Sequence, residues 1–254
     1  MELTGRNMIV IDLETAHAAD DCRNCGLERK THLTEWHYCK HTKGKYTDVH
    51  RYARIGWDDH ALLGLSIGCY YDYRDGRVHW FDAKTLPDTI LALVERYPLI
   101  VSFNGQQFDG PLMLSLVQKQ TTPDAFAPRD GAAPSALASD WQALWDDSYD
   151  LLQEIWCIDP DSCHVPCHVH GLNSLDAIAR ATLGKGKSGS GADAPRLWRQ
   201  ERYAEVINYC YNDILLTKAL FERVCAGEPL TLEDGSHLWL PLPDLIIGDH
   251  HATQ

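Results

Sequence analysis

Three carboxylate-bearing stretches, far apart in a chain of 254 residues, have the types and spacing of a hard-cation site. The first is Asp12-Leu13-Glu14-Thr15, which closes the run NMIVIDLET at 7–15. Alternate residues of a strand share a face, so Asp12 and Glu14 project to one side and Leu13 to the other. Two adjacent carboxylates ending an apolar strand repel each other and lose hydration, a cost that a bound cation offsets. Oxygen-only ligands suit Mg²⁺ or Mn²⁺, and two such ions can cut phosphodiester bonds. A strand that simply ends in two solvated acids is the competing reading, so the other stretches must decide.

The second is SFNGQQFDG, where Asp109 follows the apolar run PLIVSFN at 98–104. If that strand lies parallel beside the first, both aim their carboxyl ends at one sheet edge, where ligands of open α/β sheets collect. Asp109 would equally serve as a helix N-cap. The third is Tyr209-Cys210-Tyr211-Asn212-Asp213 in a long helical stretch. Tyr209 and Asp213 are four apart and share a face. Ile207, Cys210, Ile214 and Phe221 make an apolar seam beside them, which puts the row at the border of the buried stripe. Aspartate is a poor residue for a helix interior, and a metal would explain it; a partly exposed acid beside a packed tyrosine needs none.

The elements that would position these groups read as strands first and helices later. Residues 61–73 are expected as a strand, RDG as a turn and 77–83 as its hairpin partner. A short amphipathic helix is predicted over 86–97, with Pro87 near its start. A further helix begins near Asp109 or Pro111, residues 120–139 read as a Pro/Ala-rich loop, and 140–156 have helical spacing. Residues 172–184 are a helix capped by Asn173 or Ser174 and ended by Gly184. A flexible Gly/Ser/Lys loop at 184–195 leads to the longest helix, 199–227, and an Asp-Gly turn marks a terminal hairpin. The order implies an α/β fold with a mixed β-sheet flanked by helices.

Composition narrows the function. The apolar share is 44% and the net charge is −13 with histidine neutral. That charge argues against a broad basic surface gripping duplex DNA; it predicts weak substrate affinity without metal, or a protein partner that delivers the substrate. No stretch approaches the roughly 20 apolar residues of a membrane span, and the N-terminus lacks the pattern of a secretory signal. The nine cysteines are therefore expected as reduced thiols in the cytoplasm, some of them holding metal.

Residues 16–60 interrupt the pattern as a Cys/His-rich insertion after the first strand. Cys22 and Cys25, followed by His37, Cys39 and His41, have spacing compatible with a structural Zn²⁺, which would explain how so apolar-poor a segment folds. Free thiols and surface histidines are the alternative. A looser cluster, Cys157, Cys163, His164, Cys167, His168 and His170, would hold a second metal, complete the first site, or stay free.

Taken in order, D-x-E, an aspartate after F-N-x-x-x-F, and Y-x-x-x-D resemble a known family. IDLET (11–15), FNGQQFD (103–109) and YCYND (209–213) are similar to the motifs of the DEDD, or DnaQ-like, 3′→5′ exonucleases of the ribonuclease H-like superfamily. The resemblance extends through GLNSLDAIARATLGKGKSG at 171–189. A sister subgroup has histidine five positions before the last aspartate; Asn208 stands there, so the resemblance is to the Tyr-bearing (DEDDy) subgroup, which includes the exonuclease domains of B-family DNA polymerases. It implies an exonuclease domain over 1–226 with the insertion inside it and a hairpin tail over 227–254. It implies two Mg²⁺ or Mn²⁺ held by Asp12, Glu14, Asp109 and Asp213, with Tyr209 orienting the attacking water. Leu13 and Thr15 would touch the terminal nucleotide, Asn104 the substrate strand, and Lys185 and Lys187 its phosphates. The implied substrate is the 3′ end of a nucleic acid, most readily single-stranded DNA. The rival reading is a non-catalytic end-binding or scaffolding module with a zinc insertion; the presence of all four carboxylates and the tyrosine favours the enzyme.

Overall fold

A computed structural model describes residues 3–19, 21, 55–97, 99–121, 136–158, 173–243 and 246. Strand β1, Met8–Thr15, is the apolar run ending in the D-x-E stretch. After it come the one-turn helix α1 (His60–Leu63), strands β2 (Leu65–Asp72) and β3 (Arg77–Phe81), helix α2 (Leu86–Arg96) and strand β4 (Leu99–Ser102). Helices α3 (Asp109–Thr121) and α4 (Ala136–Asp146), strand β5 (Tyr149–Asp150) and helix α5 (Leu151–Ile158) follow. Helices α6 (Leu175–Leu183), α7 (Ala194–Arg199) and α8 (Tyr203–Cys225) lead to the hairpin β6 (Leu230–Thr231) and β7 (His237–Leu238).

The five-stranded mixed sheet has the order β3-β2-β1-β4-β5, which places β1 at its centre. β2 runs antiparallel to β1, with Asp12 opposite Cys69. β4 runs parallel to β1, with Met8, Ile9 and Val10 opposite Leu99, Ile100 and Val101. Asp12 and Asp109 therefore do leave neighbouring parallel strands at the same carboxyl edge. The period-two alternation of β1 divides the interior into two apolar layers. Met8 and Val10 join the layer formed with α6 and α8, while Ile9, Ile11 and Leu13 join the layer formed with α2, α3 and α4. Asp12 and Glu14 continue the Met8/Val10 row, so they face α8.

Three elements differ from the sequence expectation. The expected helix over 140–156 is two helices with β5 between them. Asp150 accepts the backbone N–H of Leu152 at 3.0 Å and so caps α5, while its own strand pairs with Val101 and Ser102. Tertiary pairing thus overrides a continuous helical period. The expected strand 61–73 starts only at Leu65. Residues 60–63 turn as α1, and Gly64 at φ +64° reverses the chain, a conformation that glycine adopts without Cβ strain. The expected helix 199–227 is α8 alone, because Glu201 at φ +59° breaks it from α7.

Other expectations hold. Ser174 caps α6 by accepting from Ala177 N–H at 3.2 Å, and Gly184 ends it in the left-handed conformation. The terminal hairpin forms around Asp234-Gly235, and Leu230, Leu240 and Ile246 enter the same apolar layer as β1 and α8. The residues flanking 22–54 are tied together. Ile55 N–H donates to Asp21 O at 2.9 Å, and the buried Asp21 carboxylate pairs with Arg199 of α7 at 2.5 Å. Cys22, Cys25, His37, Cys39 and His41 lie outside the described residues, as do Cys163, His164, Cys167, His168 and His170; Cys157 is exposed on α5. Among the described residues, no helix is long and apolar enough to cross a membrane.

Candidate metal centre

Helix α8 lays Tyr209 and Asp213 over the β1 face that carries Asp12 and Glu14. Both residues lie inside the buried stripe of α8 rather than at its border, with Asp213 only 2% exposed. The helix is held close by sulfur. Cys210 Sγ contacts Cys69 Sγ at 3.1 Å, on the β2 residue directly opposite Asp12. As a result Asp12, Glu14 and Asp213 each offer a carboxylate oxygen within 4.8 Å of the others.

The electrostatics record the strain of that convergence. Burial, with the Asp213 charge second, raises Asp12 from 3.8 to about 7. Burial and then Asp12 push Glu14 well above the usual carboxylate range. Asp109, at the first turn of α3, is also buried and also raised, by burial first and Asp12 next, so its charge senses the same centre. Asp12 Oδ2 and Asp213 Oδ1 are buried with no hydrogen-bond partner. Buried acceptors left open in this way are rare in folded proteins and call for an ion or ordered water. An all-oxygen donor set with orphaned carboxylate atoms fits a hard divalent cation of the Mg²⁺ or Mn²⁺ class.

Lys187 is the counter-charge that holds the cluster together. Its Nζ lies 2.5 Å from Asp213 Oδ2 and donates to Tyr209 Oη at 2.8 Å. Burial alone would lower this lysine, but Asp213, Tyr209 and Asp12 outweigh it and raise its pKa. The Gly/Ser/Lys loop was expected to be flexible; it is instead pinned where Lys187 N–H donates to Asp176 Oδ1 at 2.7 Å. A Cβ at position 186 would lie 2.4 Å from Asp176 Oδ1 and 2.5 Å from the Arg180 guanidinium, so Gly186 leaves that side-chain pair undisturbed. Lys185, by contrast, is exposed.

The remaining sequence-selected residues surround the centre unevenly. Leu13 is buried in the opposite apolar layer, and Thr15 is half-buried at the end of β1. Asn104 sits in the left-handed region at φ +71°, tolerable for asparagine, with its N–H donating to Asp150 Oδ1 at 2.9 Å. Asp150 escaped the sequence reading, although an aspartate just before the apolar run LLQEIW is a recognisable cap signal. Its carboxylate also accepts from Gln106 N–H at 3.0 Å and Ser102 Oγ at 3.2 Å. It thereby fixes the β4–α3 loop that delivers Asp109. A second acid/histidine group, Asp72, Asp75 and His79, lies at the β2–β3 turn. Its oxygens are already taken by Arg74 N–H, Arg77 N–H, Tyr97 Oη and His79.

Comparison with known proteins finds similarity to DNA polymerases. The DNA-directed DNA polymerase of Enterobacteria phage T3 is 28% identical over 178 residues, covering 63% of this chain and 24% of the polymerase. DNA polymerase 1 of Aeropyrum pernix is 31% identical over 98 residues, 39% of this chain and 10% of that protein. The solved family B DNA polymerase of the hyperthermophilic archaeon Pyrobaculum calidifontis superposes with a TM-score of 0.47 at 14% identity, over 86% of this chain and 24% of that one. The chain thus spans a quarter or less of the length of each. The model of one family, the RNase_H superfamily, matches residues 56–225, starting after β1 and ending with α8. That match takes in well over half of the sequence, and the chain belongs to the RNase H superfamily.

Proposed function

We propose that the protein is a metal-dependent 3′→5′ exonuclease of the Tyr-bearing DEDD type, acting on single-stranded DNA. The observation that carries this reading is the convergence of Asp12, Glu14 and Asp213 within 4.8 Å, beside a buried tyrosine. DNA is preferred because the named relatives are DNA polymerases. In this reading Asp12, Glu14, Asp109 and Asp213 hold two Mg²⁺ or Mn²⁺. Bound there, the ions would make a water more acidic and neutralise charge on the phosphate and the leaving oxygen.

The chain's own groups position the rest. Burial raises the Tyr209 phenol above its ordinary value, so it keeps its proton and orients the water rather than acting as the base. Lys187 fixes the phenol oxygen from the other side. In the reading, Thr15 borders the terminal nucleotide, Asn104 lies along the strand, and Lys185 attracts a phosphate; Leu13, expected beside Thr15, instead packs in the apolar layer on the other side of the sheet. With a net charge of −13, the protein would grip DNA weakly, so a partner that delivers the 3′ end belongs to the same proposal.

The test is a time course on 3′- and 5′-labelled oligonucleotides, DNA and RNA, linear and circular, with Mg²⁺, Mn²⁺ or chelator. The expected result is a metal-dependent ladder from the 3′ end of linear DNA. Asp12→Ala and Asp213→Ala abolish it, and Tyr209→Phe slows it without unfolding the chain. Binding of ends without cleavage in either metal would support the scaffolding module instead, and cutting of circular strands would mean an endonuclease.

A further inference from the structure

The tight turn before α1 presents an indole to water. Trp57 is 63% exposed, the most of any large apolar side chain among the described residues. The turn that carries it is held by its own hydrogen bonds. Gly56 N–H donates to Asp59 Oδ2 at 2.7 Å, and Asp59 N–H donates back to Gly56 O at 3.2 Å. Leu62 and Leu63 N–H then donate to Asp59 O, so the turn runs directly into α1 with Trp57 at its tip.

Two sets of contacts place that tip at the rim of the metal centre. The Trp57 and Phe108 rings meet edge to face, with centroids 6.1 Å apart and planes at 67°, and His60 meets Phe108 in the same way at 5.7 Å. Phe108 is the residue before Asp109. At the other end of α1, Leu63 O accepts from His17 N–H at 2.8 Å and Gly64 O from Ala16 N–H at 3.2 Å, just beyond Glu14 and Thr15. The turn and α1 thus bridge the two segments that bring acids to the carboxyl edge of the sheet. The chemistry of the tip suits a base rather than a phosphate. An edge-to-face contact does not cover both faces of an indole, and the exposure of Trp57 leaves a face open to water. Its neighbours in the turn are Asp58 and Asp59, and burial lowers His60, so the tip carries no cation at neutral pH.

We propose that Trp57 is a base-stacking residue, whose open indole face receives one of the last bases of a single strand with its 3′ end at the acids. Metals at the acids draw the phosphates, and the bases of the same strand then need apolar cover. An aromatic side chain supplies it for any base, because every base has a π-face. The stacking therefore carries no sequence preference. It gives an acidic protein, with a net charge of −13, a grip that it does not obtain from a basic surface. The proposal rests on the reading of the chain as an enzyme of nucleic-acid 3′ ends.

The experiment measures binding of a 5′-labelled single-stranded oligonucleotide to the full chain by fluorescence anisotropy, with Ca²⁺ as the oxygen-liganded cation and the strand checked afterwards for length. A second set of strands lacks one base, at each of the last positions in turn. Trp57→Ala is expected to weaken the complete strand about tenfold, the scale of one base–aromatic stack, and Trp57→Phe to keep most of the affinity. Trp239→Ala, which removes an indole 61% exposed on the terminal hairpin, is expected to change nothing. At one position, loss of the base should weaken the parent by the same factor and cost Trp57→Ala nothing further. Unchanged affinity in Trp57→Ala overturns the subsite. So does a Trp57→Ala loss that is equally large on every strand lacking a base, which would assign the indole to the backbone or to a contact with the rest of the protein. A lowered thermal melt of Trp57→Ala would likewise make it a packing residue. The oligonucleotide ladder with Mg²⁺, run on the same protein, separates the two readings. A ladder without the Trp57 effect sinks the subsite alone, and Trp57-dependent binding without a ladder sinks the exonuclease alone.

Discussion

Lys187 Nζ lies 2.5 Å from Asp213 Oδ2, so the cluster of converging acids is held by an ammonium from the loop after α6. The pair is unequally buried: the lysine side chain is 24% exposed and the aspartate 2%. Breaking a buried pair leaves an uncompensated charge. With the exposed lysine discounted for solvent screening, Lys187→Met is expected to cost about 1–3 kcal/mol in chelator. Saturating Mg²⁺ should recover most of that loss, because a divalent cation would neutralise the same carboxylates. Urea denaturation with chelator and with metal measures both numbers; an equal loss under the two conditions would falsify the idea that lysine and metal compensate the same charge.

Asp12 shares the pH dependence with Glu14, Asp109 and Asp213, all raised in the same direction by burial. Its folded value of about 7 lies above the ordinary 3.8, chiefly through burial and then Asp213. Between those values the folded chain holds a proton that the unfolded chain lacks. Stability in chelator is therefore expected to fall as pH rises from about 4 to about 7. Asp12→Asn removes the charge, makes that slope shallower, and should make the inactive protein more stable than the parent at neutral pH in chelator by about 1–3 kcal/mol. Thermal melts across this window check it, and a less stable Asp12→Asn protein at pH 7 would count against a repulsive centre.

Asp150 is expected to act on the metal centre without touching substrate. Its carboxylate accepts the N–H groups of Asn104 and Gln106 across the sheet edge. Asp150→Asn turns an amide donor toward one of these groups and should cost about 2–4 kcal/mol, the scale of lost hydrogen bonds to a charged acceptor. Because the loop carries Asp109, the Mg²⁺ concentration needed for half-maximal activity should rise as well. A stability loss with an unchanged metal requirement would reduce Asp150 to a fold-stabilising residue.

Gly68 tests the sheet rather than the site. A Cβ there would fall 2.1 Å from the Phe81 ring on the neighbouring strand β3. Gly68→Ala is expected to cost about 1–3 kcal/mol by overpacking. Phe81→Leu in the same protein should return part of that loss, a coupling that a double-mutant cycle reads directly.

Much of the centre was legible because its signals are local. Strand alternation put Asp12 and Glu14 on one face, and the four-residue spacing did the same for Tyr209 and Asp213. Ser174 and Gly184 announced the ends of α6 through side-chain capping and a left-handed φ. Period alone also misled: the apolar spacing of 140–156 is helical, yet Ser102 and Val101 draw Tyr149 and Asp150 into the sheet. Such pairing is settled by residues about fifty positions away.

The sequence by itself determined which side chains share a face, and what chemistry those faces could do, since both follow from the periods of helix and strand. Only the tertiary structure decided how the faces meet. Val10 opposite Val101 set β4 parallel beside β1, Cys69 against Cys210 set the height of α8 over Asp12, and Asp176 directed Lys187 into the acids. The physical reason is that a period fixes the direction of a side chain relative to its own backbone. The distance between two backbones is fixed by packing, register and the long-range hydrogen bonds that hold them.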